Sequence, residues 1–328
     1  MAATGAWSEL KTSGSLPEAR GGHTATLVDK NLLIMGGQQH RGAGKFEYFS
    51  LNPHVLHTET LAWFCPRVAL GKGPAPRAYH TATRVGSTLF VFGGQSEKGS
   101  GKSPVLGDMP VFDLVRMSWE ERLTRGTQPR PRYWHSASLV EGKLFIFGGY
   151  TGSRSLDDVH VLDVETLTWS QPEVGGSPPP PLSSHAAVVV GQRVYVFGGM
   201  TIALSDEGTS SVKYACDVQV LDCMTMKWER LRRRGTQPVA RAYHEALLVG
   251  GYLLTLGGWA GTPLSLSDLS TLDLNGLGSW YSVQTPGHAP SPVYGHSATL
   301  IGAKVVVFGG WDGVSPLNAV HVLDTTHL

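Results

Sequence analysis

The hexapeptide Leu89-Phe90-Val91-Phe92-Gly93-Gly94 is a run of four apolar residues that ends in two glycines. The same pattern closes five other apolar runs, with the first glycine of each pair at Gly36, Gly148, Gly198, Gly257 and Gly309. Successive copies stand 50 to 59 residues apart. A unit of this length, repeated six times, is long enough to form four short antiparallel strands.

Two other residue types recur in step with the glycine pairs. A histidine precedes each pair and is followed by small or β-branched residues, at His23, His80, His135, His185, His244 and His296. An apolar segment such as Val159–Asp163 comes after the pair, and a tryptophan follows at Trp63, Trp119, Trp169, Trp228 and Trp280. Each repeat is therefore predicted to form strand a with the histidine, strand b with the glycine pair, strand c and strand d with the tryptophan.

These residues resemble the kelch motif, and the resemblance covers nearly the whole chain. It implies an all-β, six-bladed kelch β-propeller with four antiparallel strands per blade and strand a innermost. The sixth repeat stops after Val320–Asp324 without a strand d, whereas Trp7–Leu10 precedes the first strand a. We therefore predict that the N-terminal strand closes the last blade and that residues 1–328 form a single kelch-repeat propeller, with no further domain.

Composition and charge narrow the function. The chain has 41 glycines and 20 prolines, which suits short strands and tight turns. A net charge of +1 favours neither nucleic acid nor an anionic membrane. The three cysteines and the absence of a leader pattern predict a cytoplasmic protein, with a nuclear location as the alternative. The uncharged stretch 246–267 matches an ordinary repeat and is rich in glycine, so we expect no membrane insertion.

One face of the propeller is predicted to bind a partner. Strands b and d end at the same rim, so the b–c and d–a loops share a face. The a–b loops are short, whereas the b–c loops vary in length, and insertions on one face of a repeat protein often mark its binding surface. Arginine and aromatic residues, which interfaces favour, are predicted to lie there. The partner-binding candidates are Arg77, Arg132, Arg232, Arg233, Arg234, Arg241, Tyr79, Tyr133, Trp134, Tyr150, Tyr243, Trp259 and Trp311.

The arginines admit two interpretations. Guanidinium groups suit carboxylates, which favours an acidic or C-terminal peptide as the ligand. Alternatively, the arginines that precede the histidines hold the blades together by pairing with Asp108, Asp158, Asp217 and Asp268, which should lie at the same rim. The run Arg232–Arg234 breaks the repeat and has no acidic partner built into the pattern, so it is either a binding element or solvated surface.

No catalytic, metal or cofactor site is predicted. Metal ligands must converge at about 2 Å on one ion, and histidines on separate blades are generally too far apart. The aspartates that end strand c are expected to fix the c–d turn. Blade 1 has His57 at that position instead. No G-x-S-x-G, Walker or HExxH motif occurs.

The leading hypothesis is a monomeric protein-interaction module, an adaptor or scaffold that binds a protein or peptide. The resemblance extends to stand-alone kelch propellers that act as effectors of Rab GTPases, through the segment Leu167–Glu173. Three alternatives remain: a substrate receptor of a ubiquitin ligase, a structural part of a cytoskeletal or ciliary assembly, and a kelch-type metalloenzyme. Because one fold serves many functions, the fold does not name the partner.

Overall fold

The computed structural model describes residues 5–42, 44–69, 73–97, 104–204, 210–232, 234–261, 265–276 and 278–326, and its regular elements are β-strands. Six antiparallel sheets follow one another along the chain, and a separate two-stranded hairpin projects from the fourth. Within each sheet the strands lie in the order a-b-c-d. Strands a of neighbouring blades lie beside one another and surround the central channel. The predicted six-bladed propeller is confirmed.

The strand bounds follow the repeat. Strands a to d of blade 1 are Gly21–Val28, Asn31–His40, His54–His57 and Ala62–Phe64; those of blade 2 are Thr81–Val85, Thr88–Phe92, Val111–Asp113 and Ser118–Glu120. Blade 3 comprises Ser136–Val140, Lys143–Phe147, Val159–Asp163 and Thr168–Ser170, and blade 4 comprises Ala186–Val190, Arg193–Phe197, Val218–Asp222 and Lys227–Arg230. Blade 5 comprises Glu245–Val249, Tyr252–Leu256, Leu269–Asp273 and Trp280–Val283, and blade 6 contributes Ser297–Ile301, Lys304–Phe308 and Val320–Asp324.

The N-terminal strand Trp7–Glu9 is strand d of blade 6. It pairs antiparallel with strand c in the register Trp7↔Leu323, Ser8↔Val322 and Glu9↔His321. Trp7 is buried in a cluster with Leu323 and side chains of blade 5. Because the first and last segments of the chain share one sheet, the ring is closed by hydrogen bonds and strand c of the sixth blade is not left as an open edge.

The core lies between blades. At four of the six seams the ring of a strand-d tryptophan packs on the phenylalanine that ends strand b of the preceding blade, as in Trp228 on Phe147 at 5.0 Å and Trp280 on Phe197 at 4.9 Å between centroids. Each of these tryptophans is 2–3% exposed. Burying so large a ring makes the neighbouring blades at these seams interdependent.

The glycine pairs are required by the contact between blades. The backbone at Gly93 has a φ of 65°, and a Cβ there would lie 2.4 Å from the carbonyl oxygen of Arg132 in the next blade. The second glycine, Gly94, donates its N–H to that same carbonyl at 2.9 Å. A side chain at residue 93 would therefore separate the blades and break the hydrogen bond that Gly94 makes between them.

Aspartates at the end of strand c hold the c–d turns, as predicted. Asp163, for example, accepts hydrogen bonds from the backbone N–H groups of Glu165 and Thr166 at 3.1 and 2.8 Å. His57 performs the same task in blade 1, because its Nδ1 accepts from the N–H of Thr60 at 3.2 Å. The exchange of aspartate for histidine thus preserves the acceptor that the turn needs.

Irregular additions collect on the face formed by the b–c loops. Blade 1 adds the strand Phe46–Tyr48, and blade 4 adds the hairpin of Met200–Leu204 with Ser210–Tyr214. Short parallel strands Ser13–Gly14, Arg125–Gly126 and Gly175–Gly176 run along the outer strand d of the following blade. Within the described residues, no helix has the length and apolarity needed to cross a membrane.

Candidate partner-binding face

The arginines nearest the channel form a buried framework. Arg77, Arg132 and Arg241 are 0% exposed, and each makes two hydrogen bonds with the carboxylate of its own blade, Asp108, Asp158 and Asp268 respectively, at 2.6–2.9 Å. Each also donates to the carbonyl of the first glycine of its pair at 2.9 Å. The prediction that these three contact a partner is not compatible with this burial, and the structural interpretation is the one that the geometry supports.

The electrostatics of these pairs agree with their geometry. Although burial opposes ionisation, hydrogen bonds from Arg132 and His160 hold the pKa of Asp158 well below its ordinary value.

Two blades lack the arginine. Blade 4 has Leu182, and Asp217 pairs with Arg230 of strand d at 2.7 Å, whereas blade 6 replaces both partners, by Val293 and Ala319. A buried guanidinium is therefore retained only with compensating contacts.

Blade 1 uses a different compensation. Arg20 is 2% exposed, and its guanidinium stacks on the ring of Phe49 at 3.9 Å and donates to the Gly36 carbonyl at 2.9 Å. The position that Asp108 occupies in blade 2 is Asn52 here. Burial lowers the pKa of Arg20 to about 10, which leaves it charged at neutral pH.

The arginine run of blade 4 lies away from the channel. The carbonyl of Arg234 accepts the backbone N–H of Trp280, and Gly235 forms a parallel bridge with the same residue. Since Trp280 lies in the outermost strand of blade 5, the exposed Arg232 and Arg234 follow the outer edge of the propeller. Arg233 lies outside the described residues. The expectation that this run joins the aromatic residues in one surface is therefore wrong for Arg232 and Arg234.

The channel mouth is built on a ring of backbone hydrogen bonds. The residue before each strand-a histidine has a φ between 54° and 68°, and its N–H donates to the corresponding carbonyl of the preceding blade at 2.7–3.2 Å. The six ring residues are Gly22, Tyr79, Trp134, Ser184, Tyr243 and Gly295. This left-handed conformation turns each side chain of the ring towards the channel axis, where those of Tyr79, Trp134 and Tyr243 line one cavity.

The aromatic side chains form one contiguous group, here called the aromatic cluster. The ring of Trp134 contacts four others, those of Tyr79, Tyr133, Tyr150 and Tyr243, at centroid distances of 4.5–5.7 Å. Tyr243 continues the cluster through Tyr294 to Trp259. Trp134, Tyr150, Tyr243 and Trp259 are partly exposed, whereas Tyr133 is 8% exposed. The predicted convergence of these aromatics on one face is therefore observed.

Trp311 occupies a separate place on the same rim. It pairs with Tyr294 across the b–c and d–a segments of blade 6, and its indole covers Gly21, where a Cβ would lie 2.1 Å from Nε1. Trp311 is 8% exposed. It covers the blade 6–blade 1 seam at the mouth and offers little surface to a partner.

Below the ring, the six strand-a histidines are between 3% and 7% exposed. Burial lowers their pKa below the usual 6.5, to about 3 at His80, His185 and His296. Four of them form a hydrogen bond through Nε2 with a hydroxyl of the preceding blade: His23 with Ser297, His80 with Thr24, His135 with Thr81 and His185 with Ser136, at 2.8–3.2 Å. Within the described part of the chain, no group of three or more His, Cys, Asp or Glu is placed to hold a metal ion.

The two remaining histidines break this pattern. By the same register, His244 faces Ala186 and His296 faces Glu245, and Nε2 of neither histidine has a hydrogen-bond partner. Glu245, partly exposed to the channel, shares a cavity of about 140 Å³ with the histidines and the ring residues. Burial raises the pKa of Glu245 to about 8. Sequence reasoning missed this carboxyl, although a comparison of the residues after each histidine shows it: the others are Thr24, Thr81, Ser136, Ala186 and Ser297.

Comparison with known proteins agrees with the repeat and the fold. The family model described as the KLHDC2/KLHL20/DRC7 Kelch-repeats domain matches residues 2–199, 42–258 and 99–310. The chain belongs to this kelch-repeat family. A solved structure, that of YjhT, superimposes with a TM-score of 0.69 over 94% of this chain and 95% of the other, at 17% identity. That likeness concerns the fold alone.

Among curated proteins, the kelch chain is 33% identical over 150 residues to Kelch domain-containing protein 3 of Bos taurus. The aligned region covers 44% of this chain and 37% of the relative. It is 31% identical to Acyl-CoA-binding domain-containing protein 5 of Arabidopsis thaliana over 98% of this chain and 40% of the relative. It is 27% identical to Host cell factor 1 of Homo sapiens over 91% of this chain and 12% of the relative. The kelch chain thus spans well under half the length of these relatives.

Proposed function

We propose that this kelch propeller is a protein-interaction module whose partner binds at the channel mouth. The observation that carries the proposal is the aromatic cluster, which is contiguous, partly exposed and held by a closed ring of backbone hydrogen bonds. Rigid tyrosines and tryptophans supply large contact areas at a small cost in side-chain entropy. The irregular b–c segments of blades 1 and 4 lie on the same face and add surface that varies between blades.

The predicted preference for an acidic or C-terminal peptide loses its support at this mouth. It rested on guanidinium groups beside the channel, and Arg77, Arg132 and Arg241 have no exposed surface. Their charge is already paired with carboxylates inside each blade. Recognition at the mouth therefore relies on aromatic contact and on the polar groups of the channel.

Affinity purification with mass spectrometry tests the proposal by comparing three variants with the unmodified chain. The mouth variant carries Trp134→Ser and Tyr243→Ser, which the ring accommodates because Ser184 occupies the same position in blade 4 with a φ of 54°. The edge variant carries Arg232→Glu and Arg234→Glu. The control is Val115→Ser, at a side chain 77% exposed in a c–d turn on the opposite face.

We expect the mouth variant alone to lose partners, by at least tenfold in recovered amount, while its thermal unfolding stays cooperative. Partners retained by the mouth variant would overturn the proposal. Partners lost from the edge variant instead would move the binding surface to the outer edge of blade 5.

A further inference from the structure

The strand-a histidines differ around the channel in whether Nε2 has a hydrogen-bond partner. In blades 1, 2, 3 and 6 the residue after the strand-a histidine is a serine or threonine that satisfies Nε2 of the next histidine. Blades 4 and 5 carry Ala186 and Glu245 instead. As a result, Nε2 of His244 and Nε2 of His296 have no hydrogen-bond partner, and both histidines are more than nine-tenths buried. The Glu245 carboxyl lines the same cavity as these two histidines. Native proteins rarely leave buried polar atoms unpaired without a functional reason.

The chemistry of these three groups specifies a donor. A carboxylate accepts hydrogen bonds, and a neutral histidine with its proton on Nδ1 presents a lone pair at Nε2. Three acceptors around one cavity match the three N–H donors of an ammonium group, which has no acceptor of its own.

The walls of the cavity suit the same ligand. The aromatic rings of Tyr79, Trp134 and Tyr243 line it together with the histidines. Ring faces attract cations at about 6 Å or less from the centroid, and aromatic surroundings also accommodate a methylene chain. The cavity volume of about 140 Å³ is several times the roughly 30 Å³ that one water occupies in the liquid, so it admits more than a single solvent molecule.

We propose that the channel mouth is a binding site for an aliphatic primary ammonium group, in the form of a lysine side chain of the protein partner. The ammonium is held by Glu245, His244 and His296, and its methylene chain passes between the ring aromatics. The identity of the group as a partner's lysine rests on the proposed function. The ammonium chemistry rests on the cavity alone and can be measured without any partner.

The test uses the whole chain and a small probe, Nα-acetyl-lysine N-methylamide, in a calorimetric titration at pH 7. The matched probe is the norleucine analogue, which has the apolar chain without the ammonium, and a third probe is n-butylamine. The variant Glu245→Ser removes the carboxyl and recreates the sequence of blades 3 and 6, where Ser136 and Ser297 pair with histidines. A second variant, Ala186→Ser, offers His244 the hydroxyl that the other histidines have.

We expect the lysine analogue and n-butylamine to bind and the norleucine analogue to bind at least tenfold more weakly. Glu245→Ser should weaken the lysine analogue at least tenfold, and Ala186→Ser should weaken it by a smaller factor. Equal binding of the lysine and norleucine analogues, undiminished affinity in Glu245→Ser, or no binding of either amine would overturn the proposal. Amine binding combined with an unchanged partner list for the mouth variant would retain the ammonium site and reject the protein-binding surface.

Proton release gives an independent readout. Glu245 is largely protonated at pH 7 because its pKa is about 8, and it must ionise to pair with an ammonium. The other titratable groups around the cavity, the six histidines with Tyr79 and Tyr243, stay uncharged because burial lowers the histidine pKa values and raises those of the tyrosines. The charge of Arg241 behind His244 is paired with Asp268. Titrations in buffers of different ionisation enthalpy should therefore show release of up to about one proton per amine, and none in Glu245→Ser.

Discussion

At the scale of single residues, the same arginine-to-carboxylate pair recurs in three blades and is replaced as a unit in a fourth. Arg132 is wholly buried, while Asp158 is 20% exposed and also accepts from His160 at 3.0 Å. Blade 6 carries Val293 and Ala319 at these positions. A buried ion pair is costly to break and inexpensive to replace by apolar residues, because the first change leaves a charge without its partner.

Asp158→Ala should lower the free energy of unfolding by about 3 kcal/mol, since it leaves the Arg132 guanidinium buried without a carboxylate. The double variant Arg132→Val with Asp158→Ala, which copies blade 6, should be less destabilised than the single variant. Urea denaturation of both measures the difference. A double variant at least as destabilised as the sum of its two single variants would show that the pair does not act as a unit.

At the scale of the strand, glycines serve different purposes at the two ends of strand b. Gly93 follows the strand at the crowded contact with blade 3, whereas Gly86 lies in the a–b turn with nothing within 4 Å of its would-be Cβ. Their φ values are similar, 65° and 58°. The two positions therefore share the conformational requirement and differ only in the neighbouring blade.

Alanine at these two positions separates the contributions. Gly86→Ala should cost about 1–2 kcal/mol, the strain of a left-handed residue with a Cβ. Gly93→Ala should cost at least about 2 kcal/mol more, because the added carbon meets the Arg132 carbonyl at 2.4 Å. Thermal and urea unfolding of the pair measures the difference, and equal losses would mean that the contact between blades relaxes at little cost.

At the scale of the whole molecule, closure and the buried histidines decide stability. The ring is joined where strand Trp7–Glu9 meets strand c of blade 6. Trp7 is 6% exposed there, whereas Ser8 in the same strand points to solvent. The strand therefore contributes a hydrophobic contact as well as a hydrogen-bond ladder.

Trp7→Ala should lower the free energy of unfolding by about 3–5 kcal/mol, because it empties a buried site at the seam. Ser8→Ala is the matched control and should be within about 0.5 kcal/mol of the unmodified chain. Deletion of residues 1–10 should be at least as destabilising as Trp7→Ala. Unchanged thermal unfolding after that deletion would contradict closure by the N-terminal strand.

The histidines make stability depend on pH. Burial lowers their pKa in the folded protein from 6.5, to about 3 at three of them, so their stabilising contribution is complete above pH 6.5 and is lost as the pH falls towards 3. Glu245 has the opposite sign, because its raised pKa of about 8 makes folding more favourable as the pH falls from 8 to 4.5. The effect of six histidines outweighs that of one glutamate, so we expect the free energy of unfolding to fall by about 5 kcal/mol between pH 6.5 and 5.5.

Urea denaturation across pH 5 to 8 measures this dependence. Carboxylates with lowered pKa values, such as Asp163, change the free energy of unfolding only below about pH 4.5. The pH dependence measured above about pH 4.5 therefore reports the histidines and Glu245. A stability profile that is flat from pH 8 to 5 would mean that the histidines are hydrated or charged in the folded protein.

The repeat by itself determined the number of blades, the place of each strand, the closure by Trp7–Leu10 and the presence of aromatics at one rim. These features follow from local spacing, because the glycine pair, histidine and tryptophan recur in fixed order and each takes part in a contact between blades that recurs around the ring. Only the tertiary structure decided which residues of that rim remain available. An arginine three residues before a histidine has the same local sequence whether it reaches solvent or an aspartate 26 to 31 residues away, and the fold places it on the aspartate. In the same way, the role of Glu245 is visible only when strands from six blades meet around one channel. Glu245 replaces the hydroxyl that would pair with His296, and that contact joins two different blades.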